Sequence, residues 1–284
     1  MDKHEWLGER FEEQRPRLRA VAYRMLGSLS EAEDAVQEAW LRLSETAYRE
    51  VDDLRAWLTT VVARISLNIL RSRKTRGETH LPDLIIDRAD GASPEHGVLL
   101  ADGIGLALLV VLETLAPAER VAFVLHDIFD MPFEEIAPIV ERTPAAARQL
   151  ASRGRRRLQA RNAAPDADMR LQRNLVDAFI AAAQDGDFRR LVAILDPEVL
   201  LRADVASTEV RGAEQVARQA QTFSRLGLLR CPVLVNGAAG LVAMLEGKPF
   251  AIMAFTVSGG KITEINIVRD PERLNQLDLT VLEG

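Results

Sequence analysis

One stretch constrains the chain more than any other: a helix candidate that opens at Thr143-Pro144 and carries seven arginines and no acid between Arg142 and Arg161. Threonine caps a helix start well, and proline at the first helical position gives up only an amide hydrogen that lacks a helical partner there. The formal net charge of the 284-residue chain is −6, so this basic helix is a local feature against an acidic background. A concentrated positive helix of this kind is an electrostatic footprint for nucleic acid. Upstream, Phe133, Ile136, Ile139 and Val140 recur at helical spacing, and Val121, Phe123, Val124 and Ile128 mark an earlier apolar helix. Three short helices, the last capped and arginine-rich, predict a helix-turn-helix. A plain helical hairpin with a solvated basic face is the competing reading.

The length suits two or three domains, each with its own core, and 48% apolar with 27% charged residues is ordinary for globular protein. No apolar run approaches the ~18 residues of a membrane span. The start, MDKHEWLGERFEEQRPR, has no apolar stretch of the kind a secretory signal needs. With a single cysteine, Cys231, no intrachain disulfide forms, and a cytoplasmic protein is the default expectation. His4, His80, His96 and His126 have no companions at metal-ligand spacing, so neither a metal nor another cofactor is expected.

The first segment reads as helical to Arg76. Phe11, Leu18, Val21, Ala22, Met25 and Leu26 form one stripe, which Gly27 stops. Ser30 to Glu33 has the capping-box pattern for a second helix, on which Ala32, Val36, Ala39 and Leu43 face a core. Glu31, Glu33, Asp34, Gln37 and Glu38 cannot all share that face, and no basic residue balances them between Ser28 and Trp40. Such a stripe is either solvated or a partner surface. A third helix carries Leu54, Trp57, Leu58, Val61, Val62, Ile65 and Ile69 as its apolar stripe and ends with Arg64, Arg71, Arg73, Lys74 and Arg76. Cations suit a helix C-terminus, yet this is a second basic cluster in an acidic chain. Tyr48 and Trp57 are aromatics able to stack on an unpaired base, although Trp57 suits a core position better.

Residues 77–104 are rich in Gly, Pro and Asp and read as a linker, with Leu84-Ile85-Ile86 as one apolar patch suited to docking. After a weaker boundary near Asn162–Asp166 the pattern changes from Leu171 on: LVDAFIAAAQDGDFRRLVAIL gives two helices broken at Asp185-Gly186-Asp187, and RGAEQVARQAQTFSR gives a third. Three strand candidates follow in LVAMLEG, PFAIMAFTVSGG and KITEINIVRD, with Gly247-Lys248 and Ser258-Gly259-Gly260 as turns of an antiparallel meander. Helices followed by a curved sheet make a small α+β domain, a cone with room for a pocket.

The motifs EAEDAVQEAWLRL, RAWLTTVVARISLNILRSRK and FEEIAPIVERTPAAARQLASRGRRRL occur in the order and spacing of the extracytoplasmic-function (ECF) RNA polymerase sigma factors, which residues 8–160 resemble. Residues 171–275 resemble, more diffusely, the SnoaL-like extension of one branch. The resemblance implies a multidomain chain: a region 2-like helical domain at 1–76, a linker at 77–104, a region 4-like helix-turn-helix domain at 105–161, and an α+β, cone-shaped SnoaL-like domain at 171–284. It implies a non-enzymatic initiation factor that binds the polymerase core and promoter DNA, not a membrane. By the same resemblance Asp34, Gln37, Glu38 and Leu41 dock on the clamp helices of the largest polymerase subunit. Tyr48, Arg64, Asn68, Arg71, Arg73 and Lys74 then meet the start-proximal promoter element. Thr143, Ala145, Arg148, Gln149, Ser152, Arg153 and Arg156 meet the upstream element, with Arg148 or Gln149 at base edges and Arg153, Arg155, Arg156 and Arg157 at phosphates. The fused extension is implied to regulate the helical part, through Asp204, Asp270, Pro271 and Arg273. Whether its pocket takes a small ligand stays open at this point.

Several positions depart from the family pattern. Glu141 stands where the turn usually has glycine, so a left-handed backbone there is strained. Pro138 lies inside the preceding helix, at a cost of up to ~3 kcal/mol if that helix is regular. Asp204 to Thr208 replaces an Asp-Gly-Gly-Gly-Lys motif, Leu81-Pro82-Asp83 replaces a Trp-Leu-Pro-Glu-Pro core, and Asp270 to Leu274 is close to Asn-Pro-Asp-Lys-Leu. Two other classes compete: a ligand-sensing repressor, which leaves the acidic helix without a task, and a DNA-binding protein fused to a SnoaL-like enzyme, for which Asp204 with Arg202 is the one acid–base pair on offer.

Overall fold

The computed structural model describes residues 3–45, 53–78, 80–89, 105–159, 168–205, 208–224, 226–275 and 277. The chain divides into two compact units, one from Met1–Asp83 with Leu109–Ala160 and one from Leu84–Leu108 with Arg161–Gly284. The helical segments expected from the sequence thus fall largely within one unit, whereas the expected linker is divided: its start up to Asp83 goes with the helices and the remainder, from Leu84, with the other unit. Among the described residues no helix is long and apolar enough to cross a membrane.

In the helical unit, α1 (Lys3–Leu26), α2 (Leu29–Glu45) and α3 (Leu54–Arg76) pack mutually. The α1 stripe is buried throughout, and Gly27 ends the helix with φ 70° and its N–H on the Tyr23 carbonyl. The start of α2 differs from the expected capping box. Ser28, not Ser30, lies at the cap, accepting the Glu31 N–H at 3.5 Å, and the Leu29 N–H donates to Asp83 Oδ2 at 2.7 Å. The donors of Leu29 and Glu31 are both satisfied by acceptors other than Ser30, so the helix begins before the Ser30 motif. Helix α3 is fixed at both ends, by Asp53 accepting the Ala56 N–H and by Gly77 in the left-handed conformation.

The rest of this unit holds α4 (Leu106–Glu113, which runs in from the other unit), α5 (Pro117–Phe123) with a π-type turn at Val124–Ile128, α6 (Phe133–Val140) and α7 (Pro144–Gln159). Helix α3 packs on both α5 and α6. Phe133, Ile136, Ile139 and Val140 are all buried. Pro138 is tolerated because it and Glu134, whose carbonyl loses its helical donor, both lie on the exposed face of α6. Gly154 of α7 comes close to α5, since a Cβ there would stand 3.1 Å from Phe123 Cβ.

The second unit is built on a seven-stranded sheet in the order β1-β4-β5-β6-β7-β2-β3. All neighbours are antiparallel except β2 (Leu195–Ala203) and β7 (Lys261–Val268), which run parallel. The three expected strands are β5 (Ala238–Leu245), β6 (Lys248–Ser258) and β7. Sequence reasoning missed β1 (Ile86–Arg88), β2, β3 (Thr208–Arg211) and β4 (Leu229–Val235). The linker patch does dock, as β1, with Ile86 opposite Val235 and Arg88 opposite Val233. Pro232 of β4 falls just beyond that register, where no described residue pairs with β4 on its β1 side, so its missing N–H costs no ladder bond there. Helices α8 (Met169–Asp185), α9 (Phe188–Ile194) and α10 (Ala213–Ser224) cover one sheet face, with Phe179 edge-on to Phe255 at 5.5 Å in the core. A last short helix, α11 (Pro271–Asn275), follows β7.

Candidate nucleic-acid interface

The acidic residues of α2 fall into two groups. Glu31 pairs with Arg73, and Glu33 pairs with Arg15 at 2.5 Å and Arg19 at 3.5 Å, so these two acids bind neighbouring helices. Cations from α1 and α3 thus balance the charge that α2 itself leaves unbalanced. Asp34, Gln37, Glu38 and Leu41 follow the i, i+3, i+4, i+7 spacing of one helical face. Asp34, Gln37 and Leu41 are exposed, Glu38 is half-buried and pairs with Arg42 at 3.0 Å, and Leu41 is 51% exposed. An exposed leucine flanked by acids is a surface suited to a partner with an apolar patch ringed by cations.

On α3, Arg64, Asn68 and Arg71 also lie on one helical face, with Lys74 exposed one turn on. This face meets the second half of the helical unit. Arg64 Nη2 donates to the Pro138 carbonyl at 3.4 Å, and Arg71 makes two bonds to the Glu141 carboxylate at 3.4 and 3.5 Å. Arg17 and Arg24 stack on Phe129 at 5.6 and 4.8 Å. Arg73, expected with the strand-contacting residues, is not on that face. It is buried, donating to the Leu26 carbonyl at 2.8 Å while paired with Glu31, so it closes the end of α1. Tyr48 lies outside the described residues, and Trp57 is half-buried.

Beside Gly27 sits a buried ion pair that sequence reasoning missed. Arg120 Nη1 lies 2.7 Å from Glu113 Oε1 with 2% of its side chain exposed, and burial pushes the guanidinium below its usual value against the pull of Glu113. Gly27 accommodates the pair, because a Cβ there would come within 2.9 Å of Glu113 Oε1.

Helix α7 is presented by a tight turn. Glu141 holds φ 58° and ψ 48°, and Arg142 N–H reaches back to the Ala137 carbonyl at 3.0 Å, a Schellman-type closure made without glycine. Thr143 Oγ1 accepts the Ala146 N–H at 3.3 Å and caps α7. Ala147, Ala151, Gly154 and Leu158 form its buried side. Ala145, Arg148, Gln149, Ser152, Arg153 and Arg156 line one continuous hollow on the other side. Arg148 stacks on Phe133 at 5.1 Å, which aims it. The remaining arginines turn back to the unit: Arg155 pairs with Asp127 at 2.5 Å, and Arg157 with Glu119 at 3.3 Å and the Thr114 carbonyl at 3.2 Å. Arg153 also reaches Glu119, at 3.5 Å.

In the second unit the four residues implied to be regulatory come together. Asp204 Oδ1 accepts the Arg269 N–H at 2.8 Å, Oδ2 accepts the Asp270 N–H at 3.3 Å, and Arg273 stands 3.7 Å away. Asp270 caps α11 by accepting the Glu272 N–H, and Pro271 is its first residue. The acid–base pairing of Asp204 with Arg202 does not form. Arg202 pairs instead with Glu264 and, at 3.3 Å, with Glu209. Among the described residues no cluster of three or more His, Cys, Asp or Glu is arranged to hold a metal ion.

These features define a sigma-70-class protein: Sigma-70 region 2 matches residues 10–76 and Sigma-70, region 4 matches residues 105–158. The chain is 38% identical over 287 residues to the ECF RNA polymerase sigma factor SigJ of Mycobacterium tuberculosis, covering 93% of this chain and 91% of the relative. It is 33% identical over 286 residues to the probable ECF sigma factor SigI of the same species, covering 98% of each. The crystal structure of SigJ superposes with a TM-score of 0.74 at 35% identity, over 94% of this chain and 98% of that one. The protein belongs to the ECF RNA polymerase sigma factors, and like them it is a non-enzymatic factor that binds RNA polymerase and recognises promoters.

Proposed function

We propose that Asp34, Gln37, Glu38 and Leu41 dock this sigma factor on the clamp helices of the largest polymerase subunit. The observation that carries this is the division of the α2 acids. Glu31 and Glu33 are tied to internal cations, while the four residues named share one outward face with an exposed leucine among them. Arg64, Asn68 and Arg71 then serve the start-proximal element, and Ala145, Arg148, Gln149, Ser152 and Arg156 the upstream one. Arg148 and Gln149 contact base edges, and Arg153 and Arg156 hold phosphates. In the arrangement described here Arg64 and Arg71 are bound to Pro138 and Glu141. Promoter binding exchanges these intramolecular partners for DNA.

The second unit regulates through the linker. Strand β1, part of the segment joining regions 2 and 4, completes the sheet of that unit, and Ile85 exchanges hydrogen bonds with Asn236. A linker held as a strand fixes the length of free chain between the two DNA-binding regions. The experiment is capture of purified core polymerase by the full-length protein and by Asp34→Arg/Glu38→Arg. Reversing two charges on an exposed face leaves folding intact, so capture falls at least about tenfold, the scale of lost charge complementarity at an interface. Unchanged capture refutes the docking surface.

A further inference from the structure

Arg153, Arg155 and Arg157 of α7 are each held by a carboxylate of the helical unit. Arg148 is held differently. Among the described residues it has no ion pair and no hydrogen bond, and its guanidinium lies 5.1 Å from the centroid of the Phe133 ring. A carboxylate fixes an arginine by occupying the N–H groups that a base or phosphate would need, so DNA must first displace it. A ring engages only the flat face of the guanidinium and leaves the in-plane fork of donors open. Phe133 is itself fixed. It is the first residue of α6 and is buried, and His126 of the π-type turn lies against it with ring centroids 3.9 Å apart and planes at 32°. His126 is tied in turn: its Nδ1 donates to the Met131 carbonyl at 3.0 Å, since a carbonyl can only accept. The Met131 N–H then closes the loop on the Leu125 carbonyl at 2.9 Å. A π-turn inserts a residue into a helix and recurs at functional positions. Here its members reach α7 twice, His126 through Phe133 and Asp127 through Arg155.

We propose that Phe133 and His126 are specificity-determining positioning residues: their stacked rings order the Arg148 guanidinium for one base pair of the upstream element. The proposal rests on the reading of Arg148 as a base-edge contact. Bidentate recognition of a base edge requires the guanidinium fork to lie in the plane of the base pair. An arginine without the ring loses rotamer freedom when it binds, and it is free to turn to a phosphate, which is the same in every sequence. Removing the rings therefore lowers discrimination at one position and leaves the rest of the footprint in place.

The test is selection from a duplex library randomised across the upstream element, using holoenzyme reconstituted from core polymerase and the full-length protein. Arg148→Ala identifies the position that Arg148 reads, as the one where preference collapses. Phe133→Leu keeps a buried apolar side chain without a ring. It is expected to reduce preference at that same position by about three- to tenfold, the scale of ordering one long side chain, with other positions unchanged. His126→Ala, at a half-buried site, is expected to reduce it by about threefold, and Phe133→Tyr, which keeps the ring, to leave it at the parent level. His126→Ala decides the matter by itself if Phe133→Leu does not fold. Equal loss at every position, or no loss at the Arg148 position, overturns the positioning role while Arg148 keeps its own. If Arg148→Ala collapses no position, the base-edge reading fails and the proposal fails with it.

Discussion

Glu141 offers a direct test of how the recognition helix is presented. Its φ of 58° and ψ of 48° place a non-glycine residue in the left-handed region, at a cost of about 1–2 kcal/mol. Its carboxylate pairs with Arg71 at 3.4 Å, but with 40% and 68% of the two side chains exposed the pair contributes at most about 0.5 kcal/mol. Three substitutions separate these effects. Glu141→Gln keeps the strain and removes the charge, so stability falls by no more than about 0.5 kcal/mol. Glu141→Gly removes both strain and pair and adds about 0.5–1 kcal/mol of unfolded-state freedom, for a net gain of about 0.5 kcal/mol. Glu141→Val adds a β-branch to the same backbone and loses a further ~1 kcal/mol or more. The Gly-to-Val spread of about 2 kcal/mol corresponds to roughly 6–8 °C in the melting transition of a helical unit this size, read by differential scanning calorimetry. If Gly is no more stable than Gln, the turn carries no left-handed strain and the reasoning fails.

Other outcomes follow from the same geometry. Glu113→Ala leaves the Arg120 guanidinium buried without its counter-charge and should cost about 3–5 kcal/mol in chemical denaturation, whereas an exposed-pair substitution such as Glu38→Ala should cost under ~1 kcal/mol. In promoter binding with the holoenzyme, Gln149→Ala should lower affinity for the cognate upstream sequence by about 1–3 kcal/mol and relax specificity. Arg156→Gln should weaken all sequences alike and reduce the salt dependence by about one phosphate contact. Asp204→Ala removes the acceptor for two backbone amides and the partner of Arg273, and should destabilise the α+β unit by about 3 kcal/mol with exchange protection lost first at Arg269 and Asp270. Protection unchanged at those amides argues against Asp204 as the fastening point.

Local chemistry made much of the helical half legible. The α1 stripe, the Thr143-Pro144 start, the Gly27 stop and the strained Glu141 turn each depend on neighbours within one or two helical turns, so the chain states them directly. The α2 cap was misplaced because its second partner, Asp83, lies 54 residues downstream. Arg73 was misassigned for a similar reason: a helix-end arginine looks solvated until Glu31 and the Leu26 carbonyl are brought to it. In the α+β unit the strands with plain hairpin turns, β5 to β7, were readable. Strand β1 has only three residues in a Gly- and Pro-rich stretch, β2 follows α9 without an intervening turn, and β4 contains Pro232, so none carries a clean alternating signal.

Helices α1 to α3 and α5 to α10, the cap of the basic helix, and the acids and arginines that share a helical face were legible along the chain, because period and capping are properties of a few consecutive residues. Tertiary structure alone decided which charges are spent internally, as with Glu31, Glu33, Arg73 and Arg155, and which remain on the surface. It also decided that Ile86–Arg88 of the linker form a strand and that Asp204 meets Arg273. Each of these depends on a partner far away in the chain, and a charge or a strand edge acquires its role only when folding chooses that partner.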